Sequence, residues 1–205
     1  MAPGKLGFTF SEVMAGGIAL GETDPAQGRV KAEAAGTILA MHGTIVIDDL
    51  DRFIGDPEHA GAISGSIDWP PFGQRIPCPS GVFNLFSPTD DPDLKLMIYE
   101  LAFEHGGQAH YFAGHKEVRV HPLLDLWKDT TTLYSRIHRG TGKSGTVIAA
   151  GIVSLGPLDL LKMVRTFAAI GASGPREEAE AVAKFGRFFM GELWTTYIRK
   201  ASGGA

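Results

Sequence analysis

The sequence predicts a mainly β protein of the α+β class, in which an antiparallel β-barrel of about eight strands precedes two C-terminal helices. Apolar and polar residues alternate with a period of two through most of residues 6–155, the pattern of strands with one buried face. After Gly156-Pro157 the apolar period lengthens to helical spacing. We therefore expect a barrel domain at residues 1–156 and a helical extension, packed on the barrel, at residues 157–205.

The clearest predicted strands form a hairpin over residues 94–120. Gly106-Gly107 joins them and supplies the positive φ angles that a two-residue hairpin turn needs. This turn places four pairs on one face: Phe103 with His110, Leu101 with Phe112, Tyr99 with Gly114 and Met97 with Lys116. The face is mostly apolar, so we predict that it points into the barrel.

Shorter alternating segments predict the other strands. They cover residues 6–14, 31–48, 62–69, 81–86, 131–138 and 146–155. Glycines at 16, 17 and 21 predict a loop that runs to Gly28, and four prolines exclude an interior strand over residues 70–80. Residues 121–129 are expected to form a short helical or irregular corner.

The helical extension begins with Pro157, since proline is favoured in a first helical turn. A second helix is predicted from Pro175 to about residue 200. Its apolar stripe consists of Val182, Phe185, Phe189, Leu193 and Tyr197.

A weak internal repeat is also present. Residues 37–47 align with residues 110–120, which places His42 on His115, and each segment leads through an acidic, leucine-bearing corner to another strand. Two similar antiparallel halves would be a route to a closed barrel. A chance match is the alternative.

Composition narrows the function classes. The net charge of −4 and the pI near 6.0 argue against nucleic acid or an anionic membrane surface as the main partner. Cys78 is the single cysteine, so no intramolecular disulfide can form and a reducing, cytoplasmic location is expected. Glycines, Pro157 and Asp159 interrupt the longest apolar stretch, so no membrane span is predicted.

Two short patterns suggest chemistry that their context does not support. The glycine-rich segment GTGKSG at residues 140–145 lacks the P-loop's first glycine, because Ile137 stands at that position, and a predicted strand follows. Histidines at 105, 110 and 115 are five residues apart, so His110 and His115 face opposite sides of a strand. We predict no cofactor and no metal there; the alternative metal site would combine His42 or His121 with Asp48 or Asp125.

Polar residues on predicted core faces are the better functional candidates: Glu12, Tyr99, His110 and Lys116. A buried charge is unfavourable unless it is paired. Glu12 and Lys116 could therefore form a structural pair, or all four residues could act as orienting or acid–base groups in a ligand cavity. The predicted apolar wall of that cavity consists of Phe8, Phe10, Met41, Met97, Leu101, Phe103 and Phe112.

Six segments carry a family resemblance: FTFSEVMAGG, HGTIVIDDLDRFIGDPEHAGAISGSI, GVFNLF, MIYELAF, YFAGHKEV and LWKDTTTLY. Over about residues 6–155, the chain resembles an accessory β-rich region of bacterial glucose–methanol–choline (GMC), cholesterol-oxidase-like flavoprotein oxidoreductases. The resemblance implies a free-standing accessory module in hydrophobic-substrate metabolism, with a flavoprotein oxidoreductase or a hydrolase as partner. It does not imply FAD chemistry, because no G-x-G-x-x-G lies at a predicted strand–helix junction.

We therefore expect a β-barrel that binds a hydrophobic small molecule, such as a lipid, a sterol or a polyketide-like compound, or that assists an enzyme acting on one. The first alternative is a cofactor-free isomerase, cyclase or hydrolase that uses Glu12, His110, Tyr99 and Lys116. The second is a structural interaction module whose barrel is filled with side chains.

Overall fold

Antiparallel strands form most of the structure. The computed structural model describes residues 5–119 and 126–198, with side chains at 5–119 and 128–194. The strands are β1 Gly7–Leu20, β2 Ile38–Ile47, β3 Ala60–Trp69, β4 Gly73–Cys78, β5 Ser80–Pro88, β6 Leu94–His105, β7 Gln108–Arg119, β8 Thr132–Arg139, β9 Thr146–Ser154 and β10 Ala168–Ile170. The helices are α1 Pro25–Ala35, α2 Leu50–Gly55, α3 Leu126–Thr131, α4 Pro157–Val164 and α5 Pro175–Ile198.

Eight strands close into a ring, which confirms the predicted antiparallel β-barrel. Their order is β1, β2, β3, β5, β6, β7, β8 and β9. The ring closes where β1 pairs with β9, from Ala15 opposite Ser154 to Leu20 opposite Ala149. Two short strands lie outside the ring, with β4 paired to β3 and β10 paired to β1. The predicted C-terminal helices, α4 and α5, follow the barrel strands.

The central hairpin has the predicted register. Gly106 and Gly107 both have positive φ angles, of 59° and 72°, and the four predicted cross-strand pairs are those observed between β6 and β7. Every side chain on this face is buried, including those of Tyr99 and Lys116. The turn and the alternation together therefore determine the inward face of two barrel strands.

The segment between the first two strands differs from the prediction. β1 does not end before Gly16 but continues to Leu20, and the predicted strand over residues 31–48 begins only at Ile38. Gly16 belongs to the strand because a Cβ atom there would lie 2.1 Å from the carbonyl oxygen of Ile152 in β9. The glycine allows close approach at the seam of the ring and does not mark a loop.

Helix α1 fills the rest of this segment. Asp24 caps its N-terminus by accepting a hydrogen bond from the backbone N–H of Gln27 at 2.9 Å, and Pro25 occupies the first turn. The helix buries only small groups, at Pro25, Gly28 and Ala32. It therefore has no large apolar stripe from which periodicity could predict a helix.

The repeated segments occupy equivalent places in the ring. β2 and β7, which contain them, lie four positions apart among the eight strands, and so do the strands that follow, β3 and β8. A six-residue helix, α2 or α3, intervenes in each case. Two similar halves would give this arrangement, and the duplication itself stays a prediction. Residues 121–125 of the second predicted corner lie outside the described residues.

Large side chains fill much of the barrel interior, and α5 extends this core beyond the strands. Phe185 of α5 stacks on Phe8 of β1, with ring centroids 4.3 Å apart. Phe188 and Phe189 contact Phe86 of β5. The predicted stripe of α5 is thus packed against the barrel, apart from Tyr197, whose side chain lies outside the described residues.

Candidate ligand-binding site

A cavity of about 520 Å³ lies at one end of the barrel interior, beneath the C-terminal helices. The barrel contributes inward-facing apolar side chains to its wall, namely Phe10, Phe83, Leu85 and Met97. The helices contribute Leu160, Met163, Val164, Phe185, Phe189 and Leu193. A cavity of this size with a mostly apolar lining is typical of small-molecule sites.

The helices form this wall because their apolar residues recur at helical spacing. Leu160, Met163 and Val164 are three and four residues apart in α4, so they lie on one side of that helix. In α5, Phe185 and Phe189 have the same relation. Phe185 also contacts Phe10 of the barrel wall, at 5.9 Å between ring centroids. Helical packing therefore covers the end of the barrel without filling it.

The cavity reaches solvent between α4 and α5. Val164 and Met190 line the cavity and are 48% and 62% exposed. Leu161 and Trp194 lie one turn away on the same helices and are also exposed. We call these four residues the rim. The rim therefore adds exposed apolar surface to the part of the cavity wall that reaches solvent.

Three polar side chains meet at the inner part of the cavity. Glu12 comes from β1, Tyr99 from β6 and Lys116 from β7, and each is buried. Tyr99 and Lys116 are diagonal neighbours in the hairpin, and the Lys116 Nζ donates a hydrogen bond to the Tyr99 hydroxyl at 3.2 Å. The same ammonium lies 4.6 Å from the centre of the Tyr99 ring. We call Glu12, Tyr99 and Lys116 the polar cluster.

Burial dominates the electrostatics of the polar cluster. It lowers the pKa of Lys116, and the charge of Glu12 acts in the opposite direction. Burial, and after it the neighbouring Glu12 carboxylate, raises the pKa of Tyr99 well above its usual range. Tyr99 therefore stays neutral at physiological pH. Among the described residues, Lys116 forms no ion pair with Glu12; it donates to Tyr99, and the Glu12 charge acts on it without such a contact.

Glu12 has an unsatisfied hydrogen-bond acceptor. Its Oε1 atom is buried and has no hydrogen-bond partner among the described residues. Buried carboxylate oxygens are rarely left in this state, because an unpaired buried acceptor loses its water without compensation. Since Glu12 lines the cavity, a molecule bound there could donate to this oxygen.

His110 does not join the polar cluster. It lies six residues before Lys116 on the same face of β7, so the two are about 20 Å apart along the strand. Its ring stacks on Phe103 and contacts Phe72, its Nδ1 lies 3.0 Å from the carbonyl oxygen of Gln108, and burial lowers its pKa. The structure thus places His110 at the opposite end of the barrel.

Only some residues of the predicted apolar wall line the cavity, as with the predicted polar residues. Phe10 and Met97 line the cavity. The other predicted wall residues are buried in the core but do not line it: Phe8, Met41, Leu101, Phe103 and Phe112. The α4 and α5 residues were not included in the predicted wall, although their helical stripes were visible in the sequence.

A second, smaller pocket of about 240 Å³ lies on the outer face of β6, β7 and β8. The Glu100 carboxylate lines this pocket. It accepts a hydrogen bond from the Tyr111 hydroxyl at 2.5 Å and forms an ion pair with Lys143 at 2.5 Å. Lys143 belongs to the GTGKSG segment, which forms the loop between β8 and β9. Its ammonium is therefore engaged by a carboxylate of the barrel wall.

The described residues contain no group of three or more histidine, cysteine, aspartate or glutamate side chains that could hold a metal ion. His42 contacts Asp68, at 3.0 Å between Nε2 and Oδ2. His121 and Asp125, of the alternative metal prediction, lie outside the described residues. In residues 5–119 and 126–198, no helix has both the length and the apolar character needed to cross a bilayer.

Comparisons with protein-family models, curated proteins and solved structures find no match to this chain. The fold and the site by themselves define a class of protein: a closed antiparallel β-barrel whose apolar cavity is covered by helices.

Proposed function

We propose that the protein binds one hydrophobic small molecule, such as a lipid, a sterol or a polyketide-like compound, in the cavity between the barrel and helices α4 and α5. The observation that carries this proposal is the cavity itself, with about 520 Å³ of space and a mainly apolar wall. A barrel filled by side chains, as a purely structural module requires, would leave no such space. The apolar rim supports the proposal, because it offers a hydrophobic route to the opening.

Two glycines of α5 allow a matched test. Gly186 lines the cavity, and a Cβ atom built there meets no atom within 4 Å. Gly191 also offers open space to a Cβ atom but does not line the cavity. We expect Gly186→Phe to place its ring in the cavity, with no clash at the Cβ atom, whereas Gly191→Phe adds the same ring outside the cavity.

The measurement is native mass spectrometry of gently purified protein, followed by solvent extraction of any bound compound. We expect a near-stoichiometric hydrophobic adduct in the wild type and in Gly191→Phe, and its loss in Gly186→Phe. Titration with N-phenyl-1-naphthylamine, whose fluorescence rises in apolar sites, should follow the same order. If no adduct is found and the dye does not bind to the wild type, the proposal is wrong. Equal binding by both variants would also contradict it, since binding would then lie outside the cavity.

The polar cluster favours a second candidate function. Titratable groups whose pKa values are shifted by burial, and which line a cavity, are typical of acid–base catalysis. A cofactor-free isomerase, cyclase or hydrolase could use Glu12 as base and Tyr99 or Lys116 as proton donor. His110 is not part of this candidate site, because it does not line the cavity and lies about 20 Å from Lys116 along β7.

Turnover distinguishes this candidate from simple binding. The protein would be incubated with the class of compound released by extraction, and products would be followed by mass spectrometry. For an enzyme, we expect Glu12→Gln to retain binding while turnover falls about a hundredfold or more. Turnover equal to that of the wild type would remove Glu12 from the mechanism.

The resemblance to the accessory region of GMC oxidoreductases supports a further role, as an auxiliary partner that presents a poorly soluble substrate to a flavoprotein oxidoreductase or a hydrolase. We expect the wild type, but not Gly186→Phe, to accelerate sterol oxidation by a cholesterol-oxidase-like flavoprotein. Equal rates with both proteins would contradict this role and leave ligand binding to be judged by mass spectrometry.

A further inference from the structure

We infer that the preferred ligand is a neutral amphiphile with one hydroxyl group at the end of an apolar body, and that this hydroxyl binds between Glu12 and Lys116. The inference rests on the proposed function, because it assigns the chemistry of the ligand in the same cavity. It distinguishes an alcohol from a hydrocarbon, a fatty acid and an alkyl amine of equal length.

The first step concerns Glu12. Its side chain is about 96% buried, since its exposed fraction is 4%, and Oε1 has no partner among the described residues. A ligand that donates a hydrogen bond to Oε1 would satisfy this acceptor. A hydrocarbon would cover the oxygen and still leave it unsatisfied, which is unfavourable. The ligand therefore needs a donor at its inner end.

The second step concerns Lys116. An ammonium group has three N–H donors, and in the described structure one hydrogen bond is formed, to the Tyr99 hydroxyl. The side chain lines the same cavity as Glu12. A group that binds between the two must therefore both donate and accept. A hydroxyl does both with a single oxygen atom.

The third step concerns charge. An ionised Glu12 and a protonated Lys116 balance one another, and the other described lining residues of the cavity carry no ionisable acid or base apart from Tyr99. A carboxylate or an ammonium on the ligand would add an unbalanced charge to a buried, mostly apolar space. Such a charge is strongly unfavourable in a protein interior. The geometry of the polar cluster thus favours a neutral group.

The fourth step concerns orientation. The polar cluster is buried, with exposed fractions of 4% or less, whereas Val164 and Met190 at the rim are about half exposed or more. All of these residues line the same cavity. A hydroxyl bound at the polar cluster would leave the apolar body along the phenylalanine and leucine wall, with its far end at the rim. Length and bulk would be tolerated better at that far end than near the hydroxyl.

A matched series of twelve-carbon compounds tests the inference: 1-dodecanol, its methyl ether, dodecanoic acid, dodecylamine and dodecane. Affinities would be measured by displacement of N-phenyl-1-naphthylamine at one pH, below the concentration at which each compound aggregates. We expect 1-dodecanol to bind about tenfold more tightly than the methyl ether, which corresponds to about 1.4 kcal/mol. The ether keeps the acceptor, loses the donor and adds a methyl group, so this ratio measures the preference for a donor at the inner end of the cavity.

Variants of the polar cluster test whether it causes the preference for 1-dodecanol over the methyl ether. Glu12→Gln keeps a carbonyl acceptor and should retain preference for the alcohol, whereas Glu12→Met should lose it. Because Glu12→Met leaves a buried ammonium without its counter-charge, the double variant Glu12→Met/Lys116→Met provides a second measurement that removes both groups together. The double variant should bind dodecanol and its ether with equal affinity.

The outcomes separate the two proposals. If no compound of the series displaces the dye, and Gly186→Phe binds dye like the wild type, the proposed function itself fails. If the series binds and Gly186→Phe does not, ligand binding in the cavity stands. In that case, equal affinities for alcohol and ether, or tighter binding of the acid or the amine, would overturn the hydroxyl assignment.

Discussion

At Lys116, burial opposes the charge that the side chain normally carries. The ammonium is 2% exposed, and its pKa is lowered because the protein interior solvates it poorly. Its compensation consists of one hydrogen bond to Tyr99, the face of the Tyr99 ring and the charge of Glu12. The residue therefore reduces stability most at a pH where it is fully protonated in both the folded and the unfolded chain.

The sign of this effect can be measured. In the unfolded chain Lys116 titrates near its ordinary value of 10.5, and in the folded chain it titrates lower. Between these two values the unfolded chain holds more protons, so stability rises with pH. We expect the free energy of unfolding of the wild type, relative to that of Lys116→Met, to increase as the pH is raised from 7 towards 10. Urea unfolding at several pH values checks this.

Tyr99 sets the upper limit of that experiment. Its folded pKa is raised, so above its ordinary value of 10.0 the unfolded chain loses a proton that the folded chain keeps, and stability falls. Measurements below pH 10 avoid this opposing effect. If the free energies of unfolding of the wild type and of Lys116→Met changed equally with pH, burial would not lower the pKa of Lys116.

Cys78 is the second residue for which burial predicts a measurable property. The thiol is fully buried in β4, donates only a long hydrogen bond of 3.7 Å to Ile76, and has its pKa raised by burial to about 12. At pH 8 this lowers the thiolate fraction about a thousandfold relative to an ordinary cysteine. We expect negligible labelling by 5,5′-dithiobis(2-nitrobenzoic acid) in the native protein at pH 8 and rapid labelling in urea. Rapid native labelling would show that β4 opens readily.

Among the helices, α1 approaches the seam of the barrel most closely. A Cβ atom at Gly28 would lie 1.9 Å from the carbonyl oxygen of Ala150 in β9. The helix packs on β1 and β9 through small residues, Gly28 and Ala32 among them. Its backbone therefore lies close to the backbone of these strands. The docking of α1 therefore depends on the absence of a side chain at one position.

Gly28→Ala should destabilise the protein by about 1–3 kcal/mol, the usual range for overpacking, because neither backbone can move away easily. Gly55→Ala is the matched control, since Gly55 also lies in a helix, α2, and a Cβ atom there meets nothing within 4 Å. There we expect no loss, or a gain of up to about 1 kcal/mol. Chemical denaturation of both variants makes the comparison, and equal stabilities would contradict the close packing of α1.

Some strands and helices could be predicted from local sequence patterns, and others could not. The register of β6 and β7 could be predicted because Gly106-Gly107 determines the turn and the alternation then determines every pair. Gly16 misled the prediction, because a glycine in a strand and a glycine in a loop look alike without knowledge of the neighbouring strand. Asp24 followed by Pro25 was a local signal for α1, but the helix lacks an apolar stripe to support it.

At the scale of the whole molecule, alternation predicted which face of each strand is inside but not the height of a residue along the barrel axis. Glu12, Tyr99, Lys116 and His110 are all inward-facing and buried, yet only the first three share the cavity. The stagger between strands and the position of α4 and α5 decide which inward residues meet. Neither can be derived from the period of a single strand.

Ligand binding should also stabilise the whole molecule. The cavity is bounded by barrel and helices together, so unfolding of either part destroys it. At a free concentration of a hundred times Kd, a bound alcohol should add about 2.7 kcal/mol to the free energy of unfolding. Denaturation of the wild type with and without 1-dodecanol tests this, with Gly186→Phe as the variant that should not respond. An equal response from that variant would place the stabilising interaction elsewhere.

The pairing of β1 with β9 has a consequence for the order of events during protein synthesis. The first barrel strand to leave the ribosome cannot complete its pairing with β9 until Ser154 has also emerged, because Ser154 is opposite Ala15. Until then, the nascent hairpins expose both the free edge of β1 and the apolar side chains that later face inward. The growing chain is therefore prone to associate through this edge and this apolar surface until β9 is released, and only then can α4 and α5 cover the end of the barrel.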